Sequence, residues 1–262
     1  MLNKLEVLVR AAGSLITDSS DSAIHDKEGH FNYVTDRDVE VQEFLREGLL
    51  QILPGSLFFS EEQENQSLTD TPTWIVDPID GTVNFTRGRS FSAVSVALTV
   101  DRKPRIALVY DPYSREMFTA EAGLGARLNG EPIRVSGKPF DRALITFGTA
   151  PYHPQLSKVS LQAALAMLHA AGDLRRTGSA ALDLAWTACG RTDFFFEMLL
   201  SPWDYAAGAL LVTEAGGRIA VPGPGGSDID FGLPCALVAS NQPCFEKGLD
   251  ILNRAIKGER TL

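Results

Sequence analysis

Apolar residues near the start of the chain recur at helical spacing. Leu5, Leu8, Val9, Ala12, Leu15 and Ile16 share one face and predict an amphipathic first helix. The polar stretch 18–32 reads as a loop. A second helix is expected over about 38–52, stopping before Pro54-Gly55. A short strand at 57–59 follows, then a polar connection over 65–72. Trp74 to Val76 is an apolar strand that ends at two carboxylates, Asp77 and Asp80. Strand patterns continue at 92–100, 105–110 and 116–120, the first two joined by the hairpin-like loop Asp101-Arg102-Lys103-Pro104. Helical patterns follow at 159–170 and 180–189, a strand at 192–196, and a helix at 205–215 ended by Gly216-Gly217. A Gly/Pro-rich loop at 222–226, a buried strand at 236–239 and an amphipathic helix at 245–256 close the chain. Helices and strands in mixed order predict a layered α/β structure.

The 262 residues suit one domain built as two packed halves, about 1–145 and 146–262. The formal net charge is −9, from 24 basic and 33 acidic residues, which argues against a nucleic-acid-binding surface. No apolar run reaches the length of a membrane span, and Lys4, Glu6 and Arg10 interrupt any signal-peptide layout near the N-terminus. A cytoplasmic protein with no membrane partner is expected. Cys189, Cys235 and Cys244 lack CxxC spacing and read as free thiols. His25, His30, His153 and His169 form no metal-binding pattern and read as surface or core residues.

The chemistry concentrates in Trp74-Ile75-Val76-Asp77-Pro78-Ile79-Asp80-Gly81-Thr82-Val83-Asn84-Phe85. Pro78 removes a backbone donor, so a regular ladder strand cannot simply continue. Gly81 allows a tight path, and Thr82 suits a helix N-cap. Asp77 and Asp80 are thereby held on one turn. Like charges that close require a cation or a proton. Hard oxygen ligands beside helix N–H groups suit Mg²⁺ plus a phosphate. Bound divalent metal would also let an acidic protein accept an anionic ester.

This string resembles the signature of the inositol monophosphatase family, the Mg²⁺-dependent, lithium-sensitive phosphatases. Ser60-Glu61-Glu62 resembles the family's acidic pair. Ser201-Pro202-Trp203-Asp204-Tyr205-Ala206-Ala207-Gly208, with Thr213-Glu214-Ala215-Gly216-Gly217, resembles its C-terminal signature. Residues 176–184, Arg-Thr-Gly-Ser-Ala-Ala-Leu-Asp-Leu, resemble the substrate-side segment of bacterial members. The motifs stand in the family's order and span most of the chain.

The resemblance implies the sugar-phosphatase fold, with alternating α/β/α/β/α layers, and a homodimer. It implies two to three Mg²⁺ ions. Glu61, Asp77 and the Ile79 carbonyl would hold the first. Asp77, Asp80 and Asp204 would hold the second, and Glu61 would support a third through water. Gly81 and Thr82 would offer N–H groups to the phosphate. Thr82 with Glu61 would orient and deprotonate the attacking water, and Asp38 would hydrogen-bond Thr82. Lys27 matches an early family lysine, and Asn32 stands where many members carry Asp. On the substrate side, Gly178, Ser179 and Ala180 would face a sugar and Glu197 would bind ring hydroxyls, beside Asp80 and Asp204. A carboxylate suits a polyol and would repel an unshielded second phosphate. A phosphomonoester of inositol or a similar polyol is therefore the expected substrate. The alternatives are a 3′(2′),5′-bisphosphate nucleotidase, a fructose-1,6-bisphosphatase or an NADP phosphatase. A non-catalytic regulatory protein on this scaffold is the reading from another class.

Overall fold

The structure is a computed structural model that describes residues 1–18, 23–26, 33–223 and 228–259. Helix α1 (Leu2–Thr17) buries Leu5, Val9, Ala12 and Ile16, the expected stripe. Strand β1 (Ile24–Asp26) pairs antiparallel with β2 (Tyr33–Thr35). The stretch expected to be loop thus contains a strand. It pairs through backbone groups and leaves Ile24 exposed, so no apolar alternation announces it. Lys27 and Asn32 lie outside the described residues. Helix α2 (Asp36–Ile52) starts earlier than its apolar pattern because Thr35 and Asp38 form a capping box.

Seven strands stand side by side in chain order: β3 (Leu57–Ser60), β4 (Thr73–Asp80), β5 (Ala93–Val100), β6 (Lys103–Asp111), β7 (Glu116–Glu121), β8 (Gly125–Leu128) and β9 (Glu131–Ile133). The β3–β4 pair is parallel and the others are antiparallel. Asp101 and Arg102 take positive φ, 51° and 60°, as a tight hairpin between twisted strands requires. The single-turn helix α3 (Thr82–Thr86) leaves the end of β4.

A second sheet runs β11-β10-β12-β14-β13, made of β10 (Leu144–Phe147), β11 (Asp173–Arg175), β12 (Phe194–Leu200), β13 (Arg218–Ala220) and β14 (Cys235–Ser240). Its helices are α4 (Ser157–Ala170), α5 (Ala180–Ala188), α6 (Pro202–Glu214) and α7 (Gln242–Ile256). Helices α1 and α2 cover one face of the large sheet with Leu45, Leu49, Trp74 and Val96 in a shared core. Helices α5 and α6 fill the space between the two sheets. Helices α4 and α7 cover the outer face of the small sheet around Phe194, Phe196 and Met167. These are the five alternating layers the resemblance implied.

The middle layer touches a sheet on each side, so α6 buries residues around its whole circumference from Tyr205 to Val212. Gly208 lets it approach α5: a Cβ there would overlap the Leu184 side chain. The three cysteines form no disulfide. Among the described residues no helix is long and apolar enough to cross a membrane. The N-termini of α3, α5 and α6 all border one cavity, which the ends of β4 and β12 also line.

Candidate active site

The end of β4 sets the first part of the site. The strand does not stop at Val76, as its sequence suggested; it runs to Asp80 with a break in register. Asp77 lies opposite Ser95 and Asp80 opposite Ala93, so one extra residue is accommodated between them. Such a bulge tolerates Pro78, which has no N–H to give the ladder. The Ile79 N–H turns back to the Asp77 carboxylate, Oδ1, at 3.0 Å. Both acids are buried.

Gly81 follows with φ +91° and is itself the N-cap of α3; Thr82 is the first helical residue rather than the cap expected from sequence. A Cβ at Gly81 would crowd the carbonyl oxygens of Phe91 and Gly178, each 3.1 Å away. Only glycine combines that φ with that clearance. The Thr82 hydroxyl lies 3.0 Å from the Ile79 carbonyl oxygen and 3.3 Å from Asp38 Oδ1. Asp38 is buried, and its Oδ2 accepts from the Thr35 N–H at 2.7 Å. The α2 cap therefore fixes an acceptor for Thr82.

Two helix N-termini bring the remaining acids. The Asp80 Oδ2 accepts from the Ser179 hydroxyl and from the Ala181 N–H at 2.9 Å, in the first turn of α5. Asp204, in the first turn of α6, accepts from the Ser201 N–H at 2.7 Å. One carboxylate oxygen from each of Asp77, Asp80 and Asp204 lies within 4.8 Å of the others. Burial, followed by the charge of Glu61 and the other acids, holds Asp77 well above the usual carboxylate range. Burial and then Asp80 do the same to Asp204. Burial pushes Asp80 up to about 6, against the hydrogen bonds from Ser179 and Ala181. Glu61, after β3, lines the same cavity, and its charge bears on all three. A cluster that resists ionisation and offers only oxygen donors fits a hard divalent cation.

The cavity has a volume of about 550 Å³. Glu197 forms part of its far wall. The strand carrying it extends beyond the expected 192–196 to Leu200, because Met198, Leu199 and Leu200 continue the apolar run. Glu197 is therefore an interior strand residue, with the ladder shifting register just after it. It is 9% exposed, and burial pushes its carboxyl up to about 7. Its Oε1 accepts from the Ala150 N–H at 2.9 Å. Gly178, with φ +95°, lies against the Arg176 guanidinium and the Asn84 amide. Asn84 in turn donates to the Phe91 and Thr177 carbonyls, at 2.8 and 3.1 Å, tying α3 to this segment. Gly178, Ser179 and Ala180 all line the cavity.

The lining residues with no role assigned from the sequence include Tyr152, His153, Arg176 and Asp183. His153, half-buried, lines the cavity wall. Its segment shows no helical or alternating pattern, so only the fold brings it to the site. Arg176 and Asp183 stand inside the substrate-side motif, but their spacing carries no chemistry by itself. Asp183 is buried, accepts from the Thr177 hydroxyl at 2.6 Å, and has a second oxygen without a partner among the described residues. Burial holds its carboxyl well above the usual range.

The profile of the inositol monophosphatase family matches residues 2–252. The chain belongs to the inositol monophosphatase family. Inositol monophosphatase 3 of Solanum lycopersicum is 39% identical over 238 residues, covering 87% of this chain and 88% of the relative. Among solved structures, the IMPase TM1415 of Thermotoga maritima superposes with a TM-score of 0.88 at 29% identity, covering 98% of both chains. An IMPase/NADP phosphatase complexed with Mg²⁺ and phosphate superposes at 0.82 and 26% identity, covering 95% of this chain and 92% of its own. Members of this family are phosphatases, phosphoric monoester hydrolases.

Proposed function

We propose that this family member is a Mg²⁺-dependent phosphomonoesterase acting on inositol monophosphate or a similar polyol or sugar phosphate. The observation that carries the reading is the triad Asp77, Asp80 and Asp204, the first two buried and the third half-buried, with carboxylate oxygens within 4.8 Å of one another. Glu61, Asp77 and the Ile79 carbonyl would hold one ion and Asp77, Asp80 and Asp204 a second, with a weaker third near Glu61. The Ile79 carbonyl has a second lone pair for this, besides the one facing Thr82. Bound there, Mg²⁺ supplies Lewis acidity and offsets the charge of acids and ester. Lithium would compete at the second position.

The protein's own groups account for the rest. The N–H groups of Gly81 and Thr82, at the start of α3, have no partner inside the helix and face an incoming phosphate. The Thr82 hydroxyl and Glu61 orient a water; its oxygen forms the new bond to phosphorus as the ester P–O bond breaks, Glu61 takes its proton, and the departing alkoxide takes a proton from solvent water to leave as the alcohol. Asp38 holds Thr82 in place. Gly178, Ser179 and Ala180 flank the alcohol part, and Glu197 accepts from its hydroxyls with the oxygen not engaged by Ala150. No enzyme nucleophile is required.

A second reading draws on Arg176. Among the described lining residues it is the one Arg or Lys, and its charge bears on Glu197 and Asp183. That shielding suits a substrate with a second anionic group, as in a bisphosphate or NADP. The proposal further comprises two packed halves meeting near residue 145 and a cytoplasmic location, both read from the sequence, and a homodimer, carried by the resemblance.

A phosphate-release screen decides between the readings. It covers inositol 1-phosphate, sugar monophosphates, fructose 1,6-bisphosphate, 3′-phosphoadenosine 5′-phosphate and NADP, each with Mg²⁺ and with EDTA. The best kcat/KM is expected for a polyol monophosphate with Mg²⁺. A clear preference for a bisphosphate or NADP selects the second reading. No release from any substrate overturns both.

A further inference from the structure

One wall of the cavity comes from the segment between β10 and α4, and three features hold it in one shape. Gly148 closes directly on Glu197: a Cβ there would overlap the carboxyl group. The Ala150 N–H donates to the same carboxylate at 2.9 Å. Ala150 itself takes φ +44°, a left-handed conformation that a non-glycine residue keeps only when its surroundings impose it. Two residues further on, Tyr152 lines the cavity together with the acidic triad and Glu61.

The Tyr152 side chain is amphipathic in its placement. The residue is 40% exposed, yet it lines the same cavity as Glu61, Asp77, Asp80 and Asp204. A phenol keeps its proton at neutral pH, so it is a neutral donor. Among the described residues the hydroxyl has no hydrogen-bond partner. An unspent neutral donor over the acidic centre calls for an acceptor that arrives with the ligand. The oxygens of a phosphate dianion are acceptors of that kind, and a neutral donor adds no charge that would compete with a cation for the acids.

Resting on the phosphatase reading above, we infer that Tyr152 contacts the substrate: its hydroxyl donates a hydrogen bond to a non-bridging phosphoryl oxygen. Glu197 and Gly148 are the positioning residues that hold the segment so that it reaches. The Glu197 carboxylate thus has two tasks, one oxygen fixing this wall and the other open to the cavity.

Tyr152→Phe is the test, since it removes one oxygen and keeps the ring. Inorganic phosphate binding to protein in Mg²⁺ is measured by calorimetry, beside kinetics on inositol 1-phosphate and on a small aryl phosphate. The expected result is phosphate affinity weakened about tenfold or more, as for a lost charge-assisted hydrogen bond. KM should rise similarly for both esters, because they share the phosphoryl group, with kcat within about threefold and Tm unchanged. Wild-type phosphate affinity in Tyr152→Phe overturns the inference. So does a loss confined to inositol 1-phosphate, which would make the residue a reader of the polyol.

Gly148→Ala tests the positioning half. It should raise KM alone, and adding Tyr152→Phe should make matters little worse; fully additive losses overturn the coupling. The phosphatase reading is checked separately by Mg²⁺-dependent turnover of the wild type. An active wild type with an unaffected Tyr152→Phe sinks only the tyrosine. A wild type that binds no phosphate sinks both.

Discussion

The Ala150 N–H and the Glu197 Oε1 lie 2.9 Å apart, a backbone-to-carboxylate hydrogen bond between a loop and a strand nearly fifty residues away in sequence. Glu197 is therefore partly engaged before any substrate arrives. Glutamine keeps an acceptor for that bond but loses the charge presented to the cavity. Glu197→Gln is expected to raise KM for inositol 1-phosphate roughly ten- to a hundredfold, the worth of charge-assisted hydrogen bonds to hydroxyls. It should change kcat much less, because the contact is to a non-reacting part of the substrate. A small aryl phosphate should be hydrolysed almost unchanged. Steady-state kinetics on both substrates check this. Equal losses would assign Glu197 wholly to the wall carrying Ala150 and Tyr152.

Chelation is expected to abolish turnover, and Mg²⁺ to restore it. Without a cation, the triad and Glu61 would repel a phosphate dianion within a few ångströms. Phosphate release in EDTA, followed by Mg²⁺ titration, is the measurement. Rates that persist in chelator would remove metal from the reaction altogether.

Asp80→Asn and Asp204→Asn should each lower kcat by on the order of a hundredfold or more, the scale of one electrostatic group at a developing charge. Both should fold. Asparagine retains an oxygen for the Ser179 and Ala181 donors at position 80 and for Ser201 at position 204. Metal-free Asp80→Asn should melt above the wild type, since it removes a buried charge already resisting ionisation. Near-normal kcat at saturating Mg²⁺ would show that the residue is not a ligand.

Much of this architecture was legible in the chain because its signals are local. The stripe Leu5–Ile16 and the capping residues of α2 dictate their helices without help. The run from Trp74 to Gly81 places two acids at one bend through proline and glycine chemistry alone. What escaped is non-local or short. Strands β8, β9, β11 and β13 have three or four residues each, too few to show a period, and exist because a neighbouring strand offers its edge. The extension of β12 past Glu197 was hidden because a buried strand reads as a continuous apolar run with no marked end. Tyr152 and His153 were silent for another reason. The Gly148 and Ala150 contacts with Glu197 hold that segment against the cavity, and neither contact leaves a mark in the local sequence.

The titration of the acids gives a stability prediction of definite sign. Asp80 is raised from 3.8 to about 6 and Glu197 from 4.5 to about 7, each chiefly by burial. Between those limits the folded protein holds more protons than the unfolded chain, so stability falls as pH rises through the window. Asp77, Asp183 and Asp204 act in the same direction. The acids whose range is lowered, Glu116, Asp173 and Asp230, titrate below it and do not reverse the trend. Metal-free protein should accordingly melt higher at pH 5 than at pH 8, with a difference on the order of a few kcal/mol. Mg²⁺ binds the ionised acids, so it should stabilise more at pH 8 than at pH 5 and flatten the profile. Thermal or urea unfolding across this range, in EDTA and in Mg²⁺, reads both effects. A metal-free stability that climbs from pH 5 to pH 8 would mean that the acids are solvated or paired in solution, and the acidic triad could not then be the anion-repelling centre that a cation must neutralise.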